Sequence, residues 1–237
     1  MKKILVTRRL LRENEDRISK LWDAKLNLND EIYSSKKIIQ LSEECDGILS
    51  SITDKIDKEV INALPKSVKI ISNFAVGFGN IDKDTAKEKN IVVTNTPDVL
   101  TDATAEIGML LILGAARRVN EGISYAKNQN WKWSADFLIG KQLTGSRLGI
   151  LGMGRIGRAL AKIAKTFGME IHYRNRSRLK PEIEMDSKYH ESIKSLFSVS
   201  DFLSICCPAT KETENIINKE TLEYFPKGAI ITNVARG

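Results

Sequence analysis

The 237-residue sequence contains no apolar run approaching the roughly 18 residues that a membrane-spanning helix needs, so no membrane role is expected. Its opening, MKKILVTRRLLRENEDR, is basic, but the apolar stretch ILV is too short for a signal peptide and charges follow at once. That segment predicts a first buried strand instead. Cysteine is scarce. Cys45, Cys206 and Cys207 are odd in number and two are adjacent, which fits neither a disulfide framework nor a zinc site. No metal is expected, and a reduced, cytoplasmic setting is. Histidine is scarcer still, limited to His172 and His190. No repeat or low-complexity tract appears. The net charge is +7, yet the Lys and Arg residues are scattered and interleaved with 30 acids, so no arm or stripe points to nucleic acid. The excess is either a solvated basic surface or a weak pull on small anions such as carboxylates or a phosphorylated cofactor.

Short β-type runs alternate with longer segments of helical period, the pattern of βαβ units and parallel sheets. Strands are expected over 2–7, 45–51, 68–74 and 91–95, with helices between them, for instance over 57–64 and 82–89. Pro97 then interrupts the extended chain. Thr101 or Asp102 can cap a long helix whose apolar face reads as Ile107, Leu110, Leu111 and Gly114. The domain boundary is placed near 98. About thirty residues without strand period follow, NEGISYAKNQNWKWSADFLIGKQLTGS, carrying Trp131 and Trp133. These tryptophans are either core filler or part of an inter-subunit arm, and the arm is preferred because Trp favours interfaces. Alternation then resumes, with strands over 147–152, 170–175, 202–207 and 229–234 and helices over 154–167, 192–197 and 219–224.

The segment LGILGMGRIGRALAKIAKTFG holds Gly152, Gly154 and Gly157 in GxGxxG spacing. The pattern is weak by itself, but here it leaves an apolar strand and opens an amphipathic helix, which is the context a dinucleotide site requires. Gly152 permits the tight turn, Gly154 lets backbone approach a pyrophosphate, and Gly157 lets helix and strand pack closely. The anion would sit on the helix N-terminus, among the N–H groups of Arg155, Ile156 and their neighbours. An NAD enzyme usually presents Asp or Glu at the end of the next strand, for the ribose hydroxyls. This chain reads HYRNRSRLK there, with Arg174, Asn175, Arg176, Ser177 and Arg178 and no carboxylate. Guanidinium groups suit a 2′-phosphate, so NADP is favoured over NAD, although a run of exposed arginines would look the same.

Five motifs in order, NFAVGFGNID (73–82), NTPDVLTDATAE (95–106), LGILGMGRIG (148–157), CPATKET (207–213) and NVARG (233–237), resemble the D-isomer-specific 2-hydroxyacid dehydrogenases, most closely their glyoxylate/hydroxypyruvate reductase branch. The resemblance implies an α/β fold of two doubly wound parallel-sheet domains. A flavodoxin-like substrate domain (1–98) would precede a Rossmann coenzyme domain (99–237) that is incomplete at its C-terminal side and includes a dimerisation arm over 121–146. It implies that Val76 and Gly77 hold the substrate carboxylate through backbone N–H groups. Thr104, Asn175, Arg176, Ser177, Cys207, Pro208, Thr213 and Val234 would join the glycine turn in binding the cofactor. It also implies that Arg236 is catalytic, pairing with the substrate carboxylate and polarising the 2-oxo group. The family's general-acid histidine and its carboxylate have no counterpart here, since neither His172 nor His190 matches. The expectation is a shortened or fragmentary reductase acting on a small 2-oxoacid, homodimeric, and weakly active or inactive as it stands. The alternative is a dinucleotide-sensing, corepressor-like protein without turnover.

Overall fold

The computed structural model describes residues 1–128 and 132–235. The chain divides into two compact units, Met1–Val99 and Leu100–Gly237, each built on a five-stranded parallel sheet.

In the first unit, strands β1 (Lys3–Val6), β2 (Asp23–Lys25), β3 (Gly47–Ser51), β4 (Ile70–Phe74) and β5 (Val92–Thr94) alternate with helices α1 (Arg12–Leu21), α2 (Ser35–Leu41), α3 (Lys58–Ala63) and α4 (Lys83–Glu88). The order β2-β1-β3-β4-β5 is the flavodoxin-like winding. Ser34, Asp57 and Asp82 start α2, α3 and α4 with side-chain oxygens that accept the N–H groups of Lys37, Val60 and Thr85, the exchange that favours these residue types at helix starts. Leu5, Ile38, Ile48, Ile61 and Ile71 form the buried centre. Strand β2 went unread in the sequence because DAK has neither apolar alternation nor length.

The second unit contains β6 (Arg147–Leu151), β7 (Glu170–Arg174), β8 (Lys188–Tyr189), β9 (Phe202–Ile205) and β10 (Ile230–Asn233). Its helices are α5 (Thr101–Ala116), α6 (Val119–Asn128), α7 (Arg155–Thr166), α8 (Pro181–Glu184), α9 (Ile193–Phe197) and α10 (Lys219–Leu222). The sheet order is β10-β9-β6-β7-β8. Counted from β6 it is the winding of dinucleotide-binding folds, with the reversal between β6 and β9, and ligands bind at the carboxyl ends of strands at such a switch point. One face of the sheet packs Met109, Ile112, Leu160 and Ala164 over Leu148, Ile150 and Ile171. The other packs Leu196 and Phe197 over Leu151, Leu203 and Ile205.

Helix α5 corrects two expectations. It starts at Thr101, with Leu100 at the cap position and no side-chain cap, so neither Thr101 nor Asp102 caps it. Its buried face is Ala105, Gly108, Met109, Ile112 and Ala116, while Ile107, Leu110 and Leu111 are exposed, Leu110 by 61%. The helix is apolar on all sides, so periodicity alone could not choose the face that meets the core. Small residues decide it: a Cβ on Gly108 would lie 3.4 Å from the Leu160 side chain, so α5 sits close against α7. The stretch that lacked strand period begins with α6, which buries none of its residues.

Candidate dinucleotide site

Strand β6 ends at Leu151 and the chain turns at Gly152 with φ +99°. A Cβ there would lie 2.5 Å from the Cys207 nitrogen, so only glycine lets the turn pass beside the segment after β9. A Cβ on Gly157 would lie 2.5 Å from the Gly152 carbonyl oxygen, so this second glycine seats α7 on the turn. At Gly154, which caps α7, nothing lies within 4 Å of a built Cβ. Open space over a helix N-terminus is the cradle that a pyrophosphate fits, and a side chain would fill it. Arg155 and Ile156 form the first turn of that helix.

Two hydrogen bonds clamp the turn to the end of β7. The Gly152 N–H donates to the Arg174 carbonyl at 3.0 Å, and the Met153 N–H donates to Asn175 Oδ1 at 2.6 Å. The accepting oxygen of Asn175 is therefore committed to the glycine turn. Its sequence position suggested cofactor contact alone, but the structure adds a positioning role.

Gly152, Gly154, Asn175, Arg176, Ser177, Cys207, Pro208 and Thr213 share one cleft of about 420 Å³, together with Leu151, Arg174, Ile193, Cys206, Thr210, Glu212 and Ile216. The Thr213 hydroxyl donates to the Pro208 carbonyl at 2.9 Å and accepts the Thr210 N–H at 2.9 Å, so it shapes the loop that walls the cleft. Burial pushes the Cys206 thiol up to about 11 and raises Cys207 as well. Both stay protonated and unreactive near neutrality.

The three arginines after β7 are not equivalent. Arg178 gives both edges of its guanidinium to Glu184, Nε to Oε1 at 2.9 Å and Nη2 to Oε2 at 3.0 Å. The Tyr173 hydroxyl donates to the same carboxylate at 2.6 Å and accepts the Leu179 N–H. Arg178 first, and then Tyr173, hold the Glu184 carboxyl below its usual range. This cluster fixes the loop and leaves Arg174 and Arg176 to the cleft.

The remaining expected residues lie elsewhere. Thr104 spends its hydroxyl on the Leu100 carbonyl in the first turn of α5. Val234 donates its N–H to the Ile205 carbonyl, and its side chain approaches Gly108. Neither residue lines the cleft. Arg236, expected to be catalytic, and Trp131 fall outside the described residues. Among the described residues no group of three or more His, Cys, Asp or Glu side chains is arranged to hold a metal ion, and no helix is long and apolar enough to cross a membrane.

The two histidines bond each other, His172 Nδ1 to His190 Nε2 at 2.8 Å, beside β7 and β8. Burial lowers the pKa of His172, with His190 and Lys188 adding to the effect, and burial followed by Lys188 lowers that of His190. Glu170, within 3.7 Å of His172 Nε2 and paired with Lys188, opposes this only in part. The folded chain thus binds fewer protons than the unfolded chain near pH 6. The pair's contribution to stability is complete above the ordinary histidine pKa of about 6.5 and is lost as pH falls below it. Thermal melts from pH 7.5 to 5 should show wild type losing more stability than His190→Gln. Parallel curves would remove the pair as the cause.

In the first unit, the turn after β4 is pinned through its carbonyl groups. Asn73 Nδ2 donates to the Gly77 carbonyl at 2.9 Å, and Asn95 Nδ2 donates to the Val76 carbonyl at 2.8 Å. The N–H groups of Val76 and Gly77 make no hydrogen bond among the described residues. Fixed carbonyls with free amides suit an anion. The sequence points to Val76 and Gly77 in this turn but gives no sign of the roles of Asn73 and Asn95.

The model of the NAD-binding domain of D-isomer specific 2-hydroxyacid dehydrogenases matches residues 109–237. The chain belongs to the D-isomer specific 2-hydroxyacid dehydrogenase family. Its similarity to individual members of this dehydrogenase family runs over nearly its whole length. It is 39% identical to glycerate dehydrogenase of Hyphomicrobium methylovorum, covering 100% of this chain and 74% of that protein. It is also 39% identical to glyoxylate reductase of Thermococcus litoralis, covering 99% and 72%. Among solved structures, a glyoxylate reductase from Paecilomyes thermophila superposes with a TM-score of 0.87 at 32% identity, covering 100% of this chain and 74% of that one. The family is one of nicotinamide-dependent enzymes. The open cradle at Gly154 fits a nicotinamide dinucleotide.

Proposed function

We propose that this dehydrogenase reduces a small 2-oxoacid, glyoxylate or hydroxypyruvate, with NADPH. The observation that carries the cofactor choice is the end of β7. No carboxylate stands there, the Asn175 oxygen is committed to Met153, and Arg176 and Ser177 are exposed in the cleft. A 2′-phosphate answers that donor set, whereas ribose hydroxyls seek an acceptor. The substrate class rests on the relatives named glyoxylate reductase and glycerate dehydrogenase.

When bound, the nicotinamide supplies a hydride to the 2-oxo carbon. The free N–H groups of Val76 and Gly77 hold the substrate carboxylate, and Arg236 polarises the carbonyl by placing positive charge where oxyanion character develops. His172 and His190 are bonded to each other and do not line the cleft, so neither donates the proton, which the alkoxide left by hydride transfer takes from solvent water. That same observation favours the second reading, a dinucleotide sensor without turnover. The two copies of a homodimer would meet through the 121–146 arm, where Trp133 is 78% exposed and Tyr125 meets Phe137 edge-on at 5.1 Å.

Single-turnover mixing decides between the readings. With the protein in excess over NADPH and glyoxylate saturating, glycolate should form mole for mole with NADPH consumed. With no acid positioned among the described residues, the step in this 237-residue chain should run about 10²–10⁴-fold slower than typical enzymatic turnover. Tight NADPH binding with no glycolate over hours would overturn the reductase reading and leave the sensor.

A further inference from the structure

The cluster at the end of β7 sorts three arginines that the sequence presents alike. Arg178 is spent on Glu184 through two hydrogen bonds. Arg176 is exposed at the cleft mouth beside Ser177. Arg174 is half-buried in the cleft wall, and its buried Nε has no hydrogen-bond partner among the described residues. Its own carbonyl is held by the Gly152 N–H, so the residue is anchored to the phosphate turn by its backbone while its side chain stays uncommitted. A guanidinium N–H removed from water without a partner is unfavourable unless something supplies the acceptor. Of the described residues lining the cleft, Glu212 is the only acid, so the balance of formal charge there, with Arg174 and Arg176, is positive.

We propose that Arg174, rather than Arg178, is the second guanidinium that recognises the 2′-phosphate, acting with Arg176 and Ser177 on a 2′-phosphorylated adenosine. Arg178 is a positioning residue that acts through Glu184 and Tyr173 on the loop. The proposal rests on the NADPH reading and names the residues that make the choice.

The test is fluorescence titration of NADPH and NADH into wild type, Arg174→Ala, Arg174→Lys and Arg178→Ala at one salt concentration. Wild type should bind NADPH more tightly, and a wild-type preference for NADH would overturn the underlying reading before any variant is considered. Given that preference, Arg174→Ala should weaken NADPH binding by about ten- to a hundredfold and leave NADH within about threefold. Arg174→Lys, which keeps the charge and the aliphatic stem, should fall between and guards against a folding defect. Arg178→Ala should lower the melting temperature and shift both cofactors together. An Arg174 variant that weakens both cofactors equally, or neither, overturns the assignment, as does an Arg178 variant that loses NADPH alone. Displacement by 2′,5′-ADP but not by inorganic phosphate, lost in Arg174→Ala, separates the nucleotide from a bare anion.

Discussion

Gly152→Ala should abolish dinucleotide binding and destabilise the second unit, whereas Gly154→Ala should weaken binding about a hundredfold and leave stability untouched. Both glycines belong to one motif, yet their surroundings differ. At Gly152 the backbone has φ +99°, and a Cβ would lie 2.5 Å from the Cys207 nitrogen and 2.6 Å from its Cα. Those atoms are backbone and cannot swing aside, so the turn and the segment after β9 must separate. Strain of this kind costs about 3 kcal/mol or more, or roughly 10 °C in melting temperature for a domain of this size. At Gly154 the φ is −81°, open to any residue, and a Cβ would meet nothing within 4 Å. The methyl group would occupy the space above the first turn of α7 where the pyrophosphate belongs. Affinity should fall about a hundredfold with the melting temperature unchanged, as read by calorimetric titration beside thermal melts. A Gly154→Ala protein that binds NADPH normally would show that the phosphates lie elsewhere.

If the homodimer proposed above also covers the exposed face of α5, Leu110→Asp should weaken self-association without loss of cofactor. Helix α5 exposes Ile107, Leu110 and Leu111 while its other face is buried against α7. Covering three such side chains is worth about 1.5–3 kcal/mol each. In a two-fold contact each substitution counts twice, because the same patch serves both subunits. A carboxylate buried there without a partner costs about 3–5 kcal/mol, enough to weaken self-association by at least a hundredfold. Since Leu110 makes no part of the core, folding and NADPH affinity should stay at wild-type levels. Sedimentation equilibrium at tens of micromolar reads the outcome. A variant that sediments as wild type would exclude this face and leave the 121–146 arm to carry the interface.

The parts of this fold that were legible in the sequence are those where one residue type has one physical use. Short apolar runs became β1, β3, β4, β5 and β6, and the Asp57 and Asp82 caps mark the starts of α3 and α4 between the strands of the first unit. The GxGxxG run became a turn because no other residue satisfies Gly152 and Gly157. What escaped notice depends on partners distant in sequence. Asn175 looks like a ligand residue until Met153, far back in the chain, is seen donating to it. Asn73 and Asn95 hold a turn through carbonyl groups that carry no side-chain signature. Alternating arginines cannot reveal that Glu184 claims Arg178 and that no acceptor among the described residues claims the Arg174 Nε. On α5 an apolar sequence on every side hid which stripe meets the core. Strands β2 and β8 are too short to show a period, and they hold their places by pairing with β1 and β7.

The measurement closest to the centre of this account is the calorimetric titration of the wild-type chain with NADPH and with NADH in the same buffer. Donors without a carboxylate at the end of β7 predict that NADPH binds more tightly by about ten- to a hundredfold, with the difference shrinking as salt screens the phosphate. Equal affinities, or a preference for NADH, would contradict it.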